Sequence, residues 1–107
     1  MRGGVYTGNT TKSIETTIMS VSDLRNAVNG ETPGIYRDIT LSLTHHELRN
    51  GEKISPDQRD CFPKATISYR NEDLTNDLGT NNPNELKGRK VEASYAEDRV
   101  LSLRLKL

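Results

Sequence analysis

The chain has few of the residues that build disulfides, metal centres and large aromatic cores. It contains one cysteine, no tryptophan and one phenylalanine among 107 residues. A single cysteine excludes an intrachain disulfide, and it excludes a zinc site built from several cysteines of one chain. Such sparse cysteine use is typical of a reducing compartment, so the sequence predicts a cytoplasmic protein.

Long apolar runs are also missing. The longest uninterrupted apolar stretch has two residues, as at Val100 and Leu101, whereas a membrane-spanning helix needs about 20. Residues 1–13 lack the apolar segment of a secretory signal. We therefore expect no membrane span, and nothing in this stretch directs export, although an exported protein whose signal had been removed would have the same composition.

An excess of one charge sign is absent too. Fifteen basic side chains balance fifteen acidic ones, which excludes the strong overall field of a polycation that binds nucleic acid. Leu, Ile, Val and Phe together make 23 of the 107 residues, enough for one lean core. Residues 1–13 are rich in glycine, threonine and asparagine, so we expect a flexible arm there and a single domain over residues 14–107.

The apolar pattern alternates between strand and helix periods. Alternation predicts strands over residues 14–21, 35–43, 65–70, 90–95 and 101–107. Cap residues and i, i+3, i+4 spacing predict short helices over residues 22–30, 55–62 and 71–79, the last with Asn71 as its cap, and Thr80–Asn84 is predicted to be a loop. The fold class that follows is α+β, a mostly antiparallel sheet of about five strands with short helices and a C-terminal β-hairpin.

Two local details of this pattern concern the end of the second long strand and the C-terminal strand. Thr44 and Glu47 have the spacing of a capping box, which predicts a helical turn, but Asn50 and Gly51 are equally typical of a two-residue hairpin turn. In the C-terminal strand, strict alternation predicts that Leu101, Leu103, Leu105 and Leu107 all face the core.

Residues capable of catalysis are few and poorly spaced. His45, His46 and Glu47 are adjacent, and adjacent side chains diverge on a helix or a strand, so they are a weak candidate for one metal or one acid-base site. Cys61 would need a nearby base to act as a nucleophile. The sequence therefore predicts no catalytic residues, no metal and no cofactor, with a hydrolase or metalloenzyme using these four residues as the weakest alternative.

Charge is unevenly distributed along the chain. Residues 87–107 hold six basic side chains against three acidic ones. Alternation places several of these cations on the outward face of the last hairpin, near tyrosines. This candidate binding stripe consists of Lys90, Arg99, Arg104, Lys106, Tyr95 and Tyr36. Basic grooves with aromatic side chains bind single-stranded nucleic acid, although cations on an edge strand also discourage aggregation.

Two function hypotheses follow. The first is a non-enzymatic binding module that recognises another macromolecule, a protein partner above all, through a sheet edge or polar loops. Self-association into a homo-oligomer through a sheet edge belongs to the same hypothesis. The alternative is a small barrel-like protein that binds nucleic acid through the C-terminal basic stripe.

Overall fold

A computed structural model of the chain describes residues 11–106. The strands are β1 (Lys12–Val21), β2 (Arg25–Asn26), β3 (Ile35–Thr44), β4 (Lys64–Arg70), β5 (Lys90–Ala96) and β6 (Arg99–Leu105). The helices are α1 (His45–Asn50), α2 (Pro56–Arg59), α3 (Asn71–Leu78) and α4 (Pro83–Leu86). The α+β class and the antiparallel sheet are confirmed. The arm predicted at residues 1–13 lies outside the described residues except for its last three, of which Lys12 and Ser13 already belong to β1.

All the strands join one antiparallel sheet with the order β4-β3-β1-β5-β6. The short strand β2 pairs with the beginning of β3 along the edge that β1 also uses. Because each step across the sheet reverses direction, the two end strands β4 and β6 run the same way. The sheet curls until these ends approach each other, and the Tyr69 hydroxyl of β4 bonds the backbone of Leu103 in β6.

The core fills the inside of this curled sheet. Its fully buried side chains are mainly aliphatic and come from the strands and from the inner sides of α1, α3 and α4; they include Ile18, Ile39, Leu41, Leu43, Leu48, Leu74, Leu78, Leu86, Val91 and Leu103. Helix α3 packs across the ends of β4 and β6 and buries Leu74 and Leu78 there. Helices α1 and α3 lie at opposite ends of the sheet, since Thr44 before α1 pairs with Lys64 whereas Arg70 before α3 pairs with Tyr36.

The capping box resolves the ambiguity at the end of β3. The Thr44 hydroxyl accepts a hydrogen bond from the Glu47 backbone N–H at 3.1 Å, and the Glu47 carboxylate accepts one from the Thr44 N–H at 3.0 Å. Gly51 then ends α1 in the left-handed conformation with φ of 74°. A helix, not a hairpin, forms here because both partners of the capping box are present.

The predicted helix over residues 22–30 is wrong. This segment forms the loop that contains β2, in which the Ala27 N–H donates to the Gly34 carbonyl. Leu24 and Val28, which the helical pattern would bury, are both exposed. The Arg25 guanidinium instead holds the segment against β3 through hydrogen bonds to Glu31 and Asp38, each with a shortest distance of 2.8 Å.

Two smaller predictions also need correction. Asn71 is the first residue of α3 and does not cap it, since the N-cap residue is Arg70, whose side chain makes no capping hydrogen bond to the helix. The loop predicted at Thr80–Asn84 contains the start of α4, whose cap is the Asn82 carboxamide accepting from the Asn84 N–H. The buried Leu86 anchors this short helix to the core.

Candidate functional site

The cations of the predicted stripe do not form one continuous surface. The Arg104 guanidinium donates to the Glu92 carboxylate on the neighbouring strand at 2.9 Å, and Arg104 holds the pKa of that carboxyl below its ordinary value. Lys106 lies 3.9 Å from Glu15. Lys90 and Arg99 begin β5 and β6, so they stand at opposite ends of the hairpin, about 20 Å apart.

The two tyrosines of the same stripe are buried. Tyr95 is 4% exposed and Tyr36 is 7% exposed. The Tyr36 hydroxyl donates to the Thr32 carbonyl at 2.8 Å, and the Arg25 guanidinium covers its ring at 5.2 Å from the centroid. Neither ring offers a free face on which a base could stack.

His45, His46, Glu47 and Cys61 each have separate surroundings. Nδ1 of His45 donates to the Asp98 carbonyl, and the His46 ring stacks on Phe62 with centroids 4.6 Å apart. Glu47 is fully buried in an ion pair with Arg59, whereas Cys61 is exposed. Across the described part of the chain, no group of three or more His, Cys, Asp or Glu is placed to hold a metal ion.

The most distinctive surface lies between the two end strands of the sheet. Residues 66–70 of β4 and 99–102 of β6 face each other across a groove that we call the edge gap. The groove consists of two adjoining hollows of about 360 and 440 Å³, and Ile67, Ser68 and Leu101 line both of them. Within residues 11–106, no strand pairs with either of the two facing edges.

A β-bulge gives this gap its exposed apolar side chain. Ser102 pairs with Ser94 and Val100 pairs with Tyr95, so Leu101 has no partner on β5. The extra residue shifts the alternation of β6, which leaves Val100 and Leu103 buried and Leu101 50% exposed. The prediction that Leu101 faces the core is therefore wrong. Bulges that turn one side chain outward are frequent at barrel rims and binding sites.

Tyr69 closes one end of the edge gap. Its hydroxyl accepts a hydrogen bond from the Leu103 N–H at 2.7 Å and donates to the Asp77 carboxylate at 2.8 Å. Burial raises the pKa of the Tyr69 hydroxyl, the bond from Leu103 lowers it, and the carboxylates of Asp77 and Asp73 raise it further. The hydroxyl thus stays protonated, and it satisfies backbone groups of Leu103 that would otherwise lie on an open strand edge.

The two ends of the edge gap differ in charge. Asp73 and Asp77 of α3 line the end next to Tyr69, and Arg70, which lies beside them, is paired with Glu72 at 2.7 Å. Arg99 and His45 line the other end. Among residues 11–106, Arg99, Asp73 and Asp77 form no ion pair, so their charges remain available to a ligand.

Comparison of the chain with protein-family models, with curated proteins and with solved structures found no match. The assignment of a function therefore depends on geometry. Of the candidate residues named from the sequence, the gap includes Arg99 and Tyr36, together with His45 from the weakest alternative. The remaining strand residues of the gap were not predicted from the sequence, because their alternating pattern is that of an ordinary strand. One signal in the sequence could have pointed to the gap. Val100 and Leu101 are adjacent and equally suited to the core, so one of them must face outward.

No helix within residues 11–106 combines the length and the apolar character that crossing a membrane requires.

Proposed function

We propose that the protein is a non-enzymatic binding module that recognises an extended segment of a protein partner in the edge gap. The observation that carries this proposal is the pair of facing strand edges with the exposed Leu101 between them. Open edges present backbone N–H and C=O groups that a further strand can pair with. Cα atoms of β4 and β6 approach within 8 Å in places, less than the distance of about 9.6 Å between two strands that flank a third, so an added segment would pair with one edge and lie over the groove.

The directions of β4 and β6 and the short length of their open edges agree with a short extended segment as the ligand. Since β4 and β6 run the same way, a segment that runs opposite to both would continue the antiparallel order of the sheet. Side chains of the segment would meet Leu101 and the half-buried Ile67 on the walls of the gap. Because only a few residues of each edge are open, we expect an interface in the weak, transient class, burying less than about 1,200 Å².

The surroundings of the potential catalytic groups support a binding role over an enzymatic one. Glu47 already accepts hydrogen bonds from Thr44, Ile54 and Arg59 in a site with no exposed surface. Nδ1 of His45 donates to a backbone carbonyl, and His46 stacks on a phenyl ring. The hydroxyl beside Glu47 is that of Thr44, which is fully buried and engaged in the capping box.

The test begins with a random dodecapeptide phage library panned against the full chain, followed by affinity measurements on the enriched peptides. We expect Leu101→Lys to weaken these peptides by about tenfold or more, because it places a charge in the apolar part of the gap. Leu24→Lys is the matched control, since Leu24 is 51% exposed and lines a separate hollow with Arg25, Asn26 and Ile35. This control should bind as the wild type does.

Four results would overturn the proposal. Peptides whose affinity depends on Leu24 and not on Leu101 would place recognition on the β2 loop. A dimer in the ultracentrifuge that Leu101→Lys dissociates would assign the gap to a second copy of the chain. Faster hydrogen exchange of residues 1–10 in Leu101→Lys, without any peptide, would assign it to the chain's own beginning. A library with no enriched peptide would remove the peptide-binding role.

A further inference from the structure

The strand directions constrain how a segment lies in the edge gap. Residues 66–70 of β4 stand beside residues 99–103 of β6, and both strands lead away from Arg99 toward Tyr69 and Leu103. A segment antiparallel to both therefore enters with its N-terminal residues beside Tyr69. Its C-terminal residues then lie beside Arg99 and His45.

The end beside Tyr69 attracts positive charge. Asp73 and Asp77 are one helical turn apart on α3, and both line this hollow. The nearest cation, Arg70, is already held by Glu72 at 2.7 Å. The carboxylates act on the gap itself, since both contribute to the raised pKa of Tyr69.

The end beside Arg99 attracts negative charge. Arg99 is exposed at the start of β6, and the neighbouring carboxylate of Asp98 is taken by Arg49 at 2.9 Å. His45 also lines this end, but its Nδ1–H donates to the Asp98 carbonyl, which leaves Nε2 of the neutral ring as an acceptor, so the attraction for an anion comes from Arg99. Between the two ends, Leu101 and Ile67 offer apolar contacts.

From this arrangement we infer the order of side chains in the bound segment: a basic residue toward its N-terminus, a β-branched apolar centre, and an acidic residue toward its C-terminus. The inference rests on the proposed function and adds the polarity of the ligand to it. Charge complementarity of this kind fixes orientation and register more than it adds affinity.

Two peptides with the same composition test the order. They are KTVVTE and ETVVTK, each acetylated and amidated so that only the two end side chains carry charge. Their five residue steps span about 16 Å, close to the length of β6 from Arg99 to Leu103 with room for the side chains. We expect KTVVTE to bind the full chain about tenfold more tightly, because reversal exchanges two attractive contacts for two repulsive ones.

A charge reversal in the protein provides the matched experiment. Arg99→Glu should reduce the preference for KTVVTE to about twofold or less, since one of the two attractive ends becomes repulsive. Arg89→Glu makes the same change at an exposed arginine outside the gap and should keep the full preference. A nitroxide at the N-terminus of KTVVTE should broaden the amide signals of α3 and spare those at the start of β6.

The outcomes separate the inference from the proposed function. Equal, Leu101-dependent binding of both peptides would overturn the inferred order and leave peptide recognition in the gap intact. Tighter binding of ETVVTK, or broadening at Arg99 by the N-terminal label, would overturn it as well. If neither peptide binds while library peptides do, the inferred order is wrong and the gap remains the site.

Discussion

Glu47 is a carboxylate without exposed surface, held at the junction of β3, α1 and α2. It accepts hydrogen bonds from the backbone N–H groups of Thr44 and Ile54 and from the Arg59 guanidinium, with the shortest distances at 3.0 Å. Burial alone would raise its pKa, but the bonds from Arg59, Ile54 and Thr44 outweigh burial, and the pKa is lowered. Its ionised form is thus part of the folded structure.

Replacing this carboxylate tests its contribution. We expect Glu47→Gln to lower the free energy of unfolding by about 3 kcal/mol, because Arg59 loses its charged partner in a largely buried site. Urea denaturation followed by circular dichroism measures this. Glu52→Gln, an exposed position just beyond α1, is the control and should stay within about 0.5 kcal/mol of the wild type.

Acid titration of the wild type and of Glu47→Gln shows whether the ionised form of Glu47 stabilises the fold. The pKa of Glu47 is lower in the folded chain than its ordinary value of 4.5, so its stabilisation is complete above that value and is lost as the pH falls toward the folded pKa. The difference between wild type and Glu47→Gln should therefore shrink on acidification below about pH 4.5. A difference that grows there would contradict an ionised Glu47.

Among the secondary-structure elements, β6 departs most informatively from simple alternation. The bulge at Leu101 changes which leucines the strand buries, leaving Leu103 2% exposed and Leu101 at the edge gap. Truncation distinguishes the two positions. We expect Leu103→Ala to cost about 2–5 kcal/mol and Leu101→Ala less than about 1 kcal/mol, since half of Leu101 is already in water.

Urea denaturation measures the free energy of unfolding of both variants. The two values are comparable if the dependence on urea concentration has the same slope as in the wild type. Equal losses at the two positions would mean that the strand keeps a regular alternation and that no bulge is present. A larger loss at Leu101 would also remove the exposed apolar side chain on which the edge gap depends. Leu101→Ala and Leu103→Ala therefore test the bulge that shapes the candidate site, and the test needs no ligand.

The sequence predicts an element well when the interactions that form it lie close together in the chain. The strands from Ile35 and from Lys64 follow from alternation, and α1 follows from a capping box whose two partners lie three residues apart. The segment after Ser22 has an equally good helical pattern, but ion pairs of Arg25 with Glu31 and Asp38 hold it as a hairpin. Glu31 and Asp38 can be recognised as the partners of Arg25 only once the pairing of the strands is known.

At the scale of the whole molecule, the edge gap is a property of sheet curvature. Ile67 and Leu101 line the same hollow although 33 residues lie between them in the sequence. Nothing in either strand alone indicates that they meet. Arg99 was named from the sequence for its charge, and the fold turns it toward the gap and away from Lys90 at the far end of the hairpin.

The same placement of charge bears on nucleic acid as the alternative ligand. The chain has no net charge, Arg104 is held by Glu92, and Tyr95 and Tyr36 are buried. We therefore expect no detectable binding of fluorescein-labelled oligo(dT) or oligo(rU) at physiological salt, measured by fluorescence anisotropy. Binding that weakens between about 50 and 200 mM salt, with a log–log slope of about −0.7 per phosphate neutralised, would contradict this expectation. If Arg104→Glu also reduced that slope, the basic stripe and not the edge gap would be the principal binding surface.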